Sequence, residues 1–192
     1  EILVGNGSTE LIHLIARSEL FTGTKDSTSA VMIFAPTYSE YKGACALMGA
    51  RIYEFYADRN NGLKWDISKA CDQIRNVSGL KLVFLCNPNN PTGIYVGPEL
   101  VEEVASACDS VNALLVVDEA YLNFVDAPWD SLNLLCLGNI VLLRSMTKDY
   151  ALTGLRLGYS LSSSSVTTRL ASYQPDWSVN TLAQIAGQIA LN

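Results

Sequence analysis

Residues 81–93 read KLVFLCNPNNPTG, an almost unbroken apolar run followed by a segment rich in Asn, Pro and Gly. Such a run is typical of a strand covered on both faces, and the polar segment predicts a loop at its end. Residues 113–121 (ALLVVDEAY) and 139–148 (NIVLLRSMTK) repeat this design. Asn90, Asp118 and Lys148 are each about 30 residues apart, close to one βαβ unit. The three runs therefore predict parallel strands whose polar ends share one edge of a sheet.

The rest of the chain continues the alternation of strands and helices. Apolar runs predict strands at 1–4, 30–35, 51–56, 81–86, 113–118, 139–144 and 155–161. The segments between them predict helices at 8–20, 38–49, 66–76, 98–110, 163–174 and 180–191. This order favours an α/β fold with a mostly parallel, doubly wound sheet that carries helices on both faces. A length of 192 residues suits one domain with its own core.

Composition excludes several classes of protein. Hydrophobic residues make up 49% of the chain and charged residues 17%, which is typical of a globular domain rather than a disordered segment. No apolar run approaches the roughly 20 residues that a membrane helix needs, so we expect no membrane partner. The net charge is −6, and the 13 Lys and Arg residues are scattered. A nucleic-acid partner is therefore not expected.

The cysteines and the histidine point away from metal chemistry. The five cysteines are widely spaced and form no C-x-x-C pair. Their apolar flanks predict buried free thiols and a reducing, cytoplasmic compartment. The single histidine, His13, cannot build a histidine cluster, so we expect it to pack or to lie on the surface and expect no metal site.

A turn near the start of the chain predicts an anion site. Residues 5–10 (GNGSTE) lie at a predicted strand–turn–helix junction, where Ser8 and Thr9 would add hydroxyl groups to a helix N-terminus. The turn lacks the G-x-G-x-x-G spacing of a dinucleotide site, and residues 35–38 (APTY) offer no acid for a ribose. A nicotinamide- or nucleotide-binding module is therefore the weaker alternative. A lysine, a carboxylate, an aromatic ring and a phosphate cradle together are what pyridoxal 5′-phosphate requires.

Three motifs in combination resemble the class I and II aminotransferases, the fold-type-I enzymes that use pyridoxal 5′-phosphate. They are NPTG at 90–93, DEAY at 118–121, and the S-x-x-K segment at 145–148 followed by GLRLG at 154–158. The resemblance covers nearly the whole chain and implies a three-layer α/β/α domain with seven strands, the last one antiparallel. Histidinol-phosphate aminotransferases and threonine-phosphate decarboxylases are the most similar branches. Residues 143–148 (LRSMTK) and 177–180 (WSVN) favour the decarboxylases.

The resemblance implies a role for each of nine residues. The residues expected to act in catalysis are Lys148, which would bond to the cofactor, Asp118, which would pair with its ring nitrogen, and Tyr121. Tyr121 is also expected to hydrogen-bond the ring oxygen together with Asn90, and Tyr38 to stack on the ring. The residues expected to hold the phosphate are Ser8, Thr9, Ser145 and Arg156. Two neighbouring side chains, Tyr41 and Glu119, are expected to be structural.

The resemblance also implies what lies outside the chain. Residues 1–192 would form a cofactor-binding large domain without the N-terminal segment and the C-terminal small domain, which supplies the arginine that anchors the substrate carboxylate. We expect a small amino acid or amino-phosphate substrate, a homodimer in the full-length enzyme, and little or no turnover by this chain alone. Decarboxylation and transamination stay open, because the choice depends on how the carboxylate is anchored. A non-catalytic scaffold is the third alternative.

Overall fold

A computed structural model describes residues 1–21 and 29–191. The strands are β1 (Ile2–Asn6), β2 (Ala30–Ala35), β3 (Arg51–Tyr56), β4 (Leu80–Cys86), β5 (Leu114–Asp118), β6 (Ile140–Ser145) and β7 (Leu157–Ser162). The α-helices are α1 (Gly7–Leu20), α2 (Glu40–Leu47), α3 (Ile67–Asn76), α4 (Pro98–Ser110), α5 (Ser164–Ala171) and α6 (Thr181–Ala190). Short 3₁₀ helices span Arg59–Asn61, Leu122–Phe124 and Ser131–Leu137. Within the described ranges, the predicted strands and helices all form, with ends shifted by a few residues.

The seven strands form one sheet in the order β1-β7-β6-β5-β4-β2-β3. Strands β3, β2, β4, β5 and β6 pair in parallel, whereas β7 is antiparallel to both of its neighbours, β6 and β1. The expected mostly parallel sheet with an antiparallel last strand is therefore confirmed. Strands β4, β5 and β6 are direct neighbours, so the polar segments that follow them share one edge.

Alternation along the buried strands creates two cores, one on each face of the sheet. In β4, Val83 and Leu85 pack into the core beneath α3 and α4, whereas Leu82 and Phe84 pack into the core beneath α1 and α2. Successive side chains of a strand point to opposite faces, so a strand between two helical layers must be apolar at nearly every position. All six residues of β2 are buried for this reason.

The cysteine prediction holds at four positions and is wrong at one. Cys45, Cys71, Cys86 and Cys108 are buried free thiols, but Cys136 is exposed. Cys136 lies in the 3₁₀ helix Ser131–Leu137, which rests on the surface and buries Leu134. Because such a helix repeats every three residues, one side of an apolar run can face water. Across residues 1–21 and 29–191, no helix combines the length and the apolar character that crossing a bilayer would require.

Candidate active site

All nine residues expected to form the site line one cavity of about 190 Å³ at the polar edge of the sheet. They come from the ends of five strands, because β1, β2, β4, β5 and β6 all finish at this edge and the segment before β7 begins there. Tyr41, Cys86, Ala120 and Thr147 also line the cavity. Ligands of open α/β sheets bind beyond the C-terminal ends of parallel strands, where this cavity lies.

One end of the cavity is formed by the N-terminus of α1. The helix begins at Gly7, and the residue before it, Asn6, gives no side-chain cap to its first N–H groups. Ser8 and Thr9 of the first turn line the cavity, and so does Arg156. Free N–H groups, two hydroxyls and a guanidinium form the donor set that a phosphate monoester accepts.

Two glycines allow this end to be compact. A Cβ atom on Gly158 of β7 would lie 2.6 Å from the backbone nitrogen of Ser8 and 2.9 Å from the carbonyl carbon of Gly7. A Cβ atom on Gly7 would lie 2.7 Å from a guanidinium nitrogen of Arg156, and Gly7 has a φ of +76° that other residues rarely adopt. Only glycine therefore lets β7, Arg156 and the first turn of α1 meet.

The buried carboxylate of Asp118 forms the floor of the cavity. Asp118 is 3% exposed; its Oδ2 accepts a hydrogen bond from the Tyr41 hydroxyl at 2.7 Å and its Oδ1 accepts one from the Ala120 N–H at 3.0 Å. Burial raises the pKa of Asp118, the two hydrogen bonds lower it, and the nearby charge of Glu119 adds to the rise. A carboxylate held in this way is suited to pair with a cationic ring nitrogen.

Glu119 has a separate partner and is structural, as expected. Its Oε2 accepts a hydrogen bond from Nε of Arg144 at 2.9 Å, with Glu119 almost fully buried. Burial raises the pKa of Glu119, whereas the Ser131 hydroxyl and the Arg144 guanidinium lower it. Arg144 therefore compensates the carboxylate that lies next to Asp118 in the chain, so the charge of Asp118 is left for the cavity.

The loop after β4 uses two of its asparagines to hold its own shape. The Asn87 side chain donates to the Val96 carbonyl at 3.0 Å and accepts from the Val96 N–H at 2.7 Å. Asn89 donates to the Pro36 carbonyl at 3.0 Å and to the Thr92 hydroxyl at 2.7 Å. Asn90 is the asparagine of this loop that lines the cavity.

The amine of Lys148 completes the set. Lys148 follows β6, is exposed, and has its Nζ 6.0 Å from the centroid of the Tyr121 ring. In the described ranges, no carboxylate lies within ion-pair distance of this amine. Ser145 hydrogen-bonds the Thr147 hydroxyl at 2.7 Å, which orders the segment that leads to the lysine. Lys148 is thus free to react with a ligand that enters the cavity.

Two lining residues were not predicted as part of the site. Tyr41 was expected to be structural, but its hydroxyl contacts the site carboxylate. Its spacing of three residues from Tyr38 on a helix-like segment was the available signal, since such residues share a helix face. Thr147 lies between Ser145 and Lys148, and no feature of the sequence distinguished it from an ordinary loop threonine.

Comparison with known proteins agrees with this site. The family model for aminotransferase class I and II matches residues 1–192. The chain is 37% identical over 99% of its length to a threonine-phosphate decarboxylase from Salmonella typhimurium and 30% identical over its whole length to a histidinol-phosphate aminotransferase from Ruminiclostridium cellulolyticum. A crystal structure of the histidinol-phosphate aminotransferase from Clostridium acetobutylicum superimposes with a TM-score of 0.84 at 25% identity, covering 100% of this chain and 53% of that one.

The chain belongs to the class I and II aminotransferase family. Pyridoxal 5′-phosphate is the cofactor that this membership implies, and the donor set of the cavity fits it: an anion site at one end, a buried carboxylate on the floor and a free amine. The chain spans about half the length of the curated relatives it matches, 50% of the Salmonella protein and 51% of the Ruminiclostridium protein.

Proposed function

We propose that residues 1–192 are the cofactor-binding domain of a pyridoxal-phosphate enzyme that decarboxylates L-threonine O-3-phosphate. The observation that carries the cofactor assignment is the joint lining of one cavity by Lys148, Asp118 and the first turn of α1. A covalent anchor, a partner for a ring nitrogen and a phosphate site are the three attachments that this cofactor needs.

Each lining residue has a role in this proposal. Lys148 anchors the cofactor through its amine, and Asp118 holds a proton on the ring nitrogen. Tyr121 and Asn90 donate hydrogen bonds to the ring oxygen, and Tyr38 covers one face of the ring. The phosphate is held by Ser8, Thr9, Ser145 and Arg156. When bound, the cofactor supplies an electron sink for the bond that breaks at the substrate's α-carbon.

The choice of decarboxylation rests on similarity. The 37% identity to the Salmonella threonine-phosphate decarboxylase and the segment LRSMTK at 143–148 support it. Histidinol-phosphate transamination is the second candidate, because several histidinol-phosphate aminotransferases match the whole chain at 30–37% identity. Both names describe substrates that carry an amine and a phosphate, so a small amino-phosphate is the substrate class common to the two candidates.

The proposal includes parts beyond this chain. Since the curated relatives are about twice as long, we place the arginine that anchors the substrate carboxylate in the remainder of a longer polypeptide that works as a homodimer. We therefore expect the 192-residue chain to bind cofactor but to turn over substrate poorly. The five free thiols fit a reducing compartment, the cytoplasm.

A spectroscopic titration tests the cofactor assignment. Adding pyridoxal phosphate to the wild-type chain should produce a visible absorbance band, and Lys148→Ala should abolish it. Lys81→Ala, which removes an exposed lysine from β4, is the matched control and should keep the band. A wild-type chain that binds no cofactor would instead support a non-catalytic scaffold.

The reaction is tested on the full-length gene product. We expect release of carbon dioxide from threonine phosphate and no amino transfer from histidinol phosphate to a keto acid. Amino transfer from histidinol phosphate without decarboxylation of threonine phosphate would replace the first candidate by the second.

A further inference from the structure

The hydroxyl of Tyr41 reaches the site carboxylate from a helix on the opposite side of a strand end. Tyr41 lies in the first turn of α2, 77 residues before Asp118, and donates to its Oδ2 at 2.7 Å. Tyr41 is 0% exposed, so water cannot replace this hydrogen bond. Burial and the neighbouring carboxylate raise the pKa of the Tyr41 hydroxyl well above its ordinary value, which keeps it a donor.

The ring of Tyr41 is fixed on both sides. It stacks on Phe84 of β4 with centroids 4.7 Å apart and an interplanar angle of 11°. Tyr38 contacts it edge-on, with centroids 5.7 Å apart at 84°. Aromatic contacts of this kind restrict the ring beyond simple burial. The hydroxyl is therefore preorganised toward Asp118 before any ligand enters the cavity.

We propose that Tyr41 is a positioning residue whose hydroxyl keeps the Asp118 carboxylate ionised and turned toward the cavity, where it can pair with a pyridinium nitrogen. This inference rests on the proposed function for its ligand, but the effect on Asp118 does not need the ligand. A buried carboxylate favours its neutral form, and donors to its oxygens oppose that tendency. Of the two donors present, the Ala120 N–H is fixed by the backbone, and the side-chain donor is Tyr41.

Other titratable groups near Asp118 do not replace this donor. Cys86 at the end of β4 carries a thiol whose pKa burial raises to about 12, so it is neutral. Glu119 is paired with Arg144, as described above. Lys148 and Arg156 line the same cavity but hold no hydrogen bond to Asp118 in the described part of the chain.

The test is a carboxyl-carbon NMR titration of the cofactor-free chain labelled in aspartate, with Asp118→Asn identifying the signal. In Tyr41→Phe, which keeps the ring stack, the midpoint of Asp118 should rise by about one to two pH units, as expected for the loss of one hydrogen bond to a charged group. Tyr38→Phe is the matched control: it removes a hydroxyl from the neighbouring ring and should leave the midpoint unchanged. Affinity for pyridoxal phosphate should fall about tenfold in Tyr41→Phe, the equivalent of one pH unit.

An unchanged midpoint in Tyr41→Phe, or an equal rise in Tyr38→Phe, would overturn the role of Tyr41. If Tyr41→Phe does not fold, the ring carbon that bears the hydroxyl of Tyr41 decides the question in the wild-type chain. Its NMR signal should titrate with the midpoint of Asp118, and a signal that ignores that midpoint would refute the proposal. Absence of cofactor binding by the wild-type chain would overturn the proposed function alone, since the titration of Asp118 needs no cofactor.

Discussion

Replacing Gly158 with alanine tests how closely β7 must approach the first turn of α1. The new Cβ atom would lie 2.6 Å from the backbone nitrogen of Ser8, whereas ordinary contacts begin near 3.4 Å. Both close neighbours, Ser8 N and Gly7 C, are backbone atoms, so no side chain can move aside. The first turn of α1 must therefore shift from β7 by about 0.8 Å, and overpacking of this kind costs roughly 1–3 kcal/mol of folding free energy.

The same shift should weaken the phosphate site. A donor at about 2.9 Å from a phosphate oxygen that moves by this amount lies outside hydrogen-bond distance. One lost hydrogen bond to a charged group, about 1.5–3 kcal/mol, weakens binding roughly 10- to 100-fold. We expect this loss for pyridoxal phosphate and almost none for pyridoxal, which lacks the phosphate. The assays are absorbance titrations with both ligands and urea unfolding of the cofactor-free chain.

Gly43→Ala is the control for this experiment. Gly43 lies within α2, and a Cβ atom there would meet nothing within 4 Å. The change should leave cofactor affinity unaltered and stabilise the helix by about 0.5–1 kcal/mol. If Gly158→Ala binds pyridoxal phosphate as tightly as the wild type does, the first turn of α1 is not the phosphate site and the reasoning fails.

Two further predictions concern groups whose pKa values burial changes. Because burial raises the pKa of Asp118, the folded chain keeps this proton to a higher pH than the unfolded chain does, and the associated stability is present in acid and is lost as pH rises through the folded pKa. Urea unfolding of the cofactor-free chain should therefore show the wild type losing stability relative to Asp118→Asn with rising pH; a relative gain would contradict this sign. Iodoacetamide should alkylate Cys136 in the native chain, because it is exposed, whereas burial raises the pKa of the Cys45 and Cys86 thiols to about 12. Peptide mass mapping that finds Cys86 modified as fast as Cys136 would refute the burial argument.

The parts of the fold that the sequence predicts are those that depend on local pattern. The run at 30–35 is apolar at every position, and its burial on both faces follows directly from that pattern. The helix at 66–76 begins after Asp66, whose side chain caps the Lys69 N–H. By contrast, the 3₁₀ helices around 122–124 and 131–137 depend on short turns and on packing against the sheet, which a periodic pattern does not record.

The site divides in the same way. Asn90, Asp118 and Lys148 could be predicted to meet because each follows a strand of similar spacing, and neighbouring parallel strands end at one edge. The role of Tyr41 could not be predicted, because its partner lies 77 residues away and the contact depends on how α2 packs on β4. The exposure of Cys136 was missed for a related reason: an apolar run does not tell which side of a short helix faces water.

Reduction of the chain with borohydride in the presence of pyridoxal phosphate, followed by peptide mapping, tests the central claim most directly. Reduction fixes the cofactor to the amine that holds it. Because Lys148 is the lysine that lines the cavity with Asp118, we expect the label on Lys148 and its loss when Asp118→Asn or Gly158→Ala weakens binding. Label on another lysine, or none at all, would contradict the assignment of this cavity as the cofactor site.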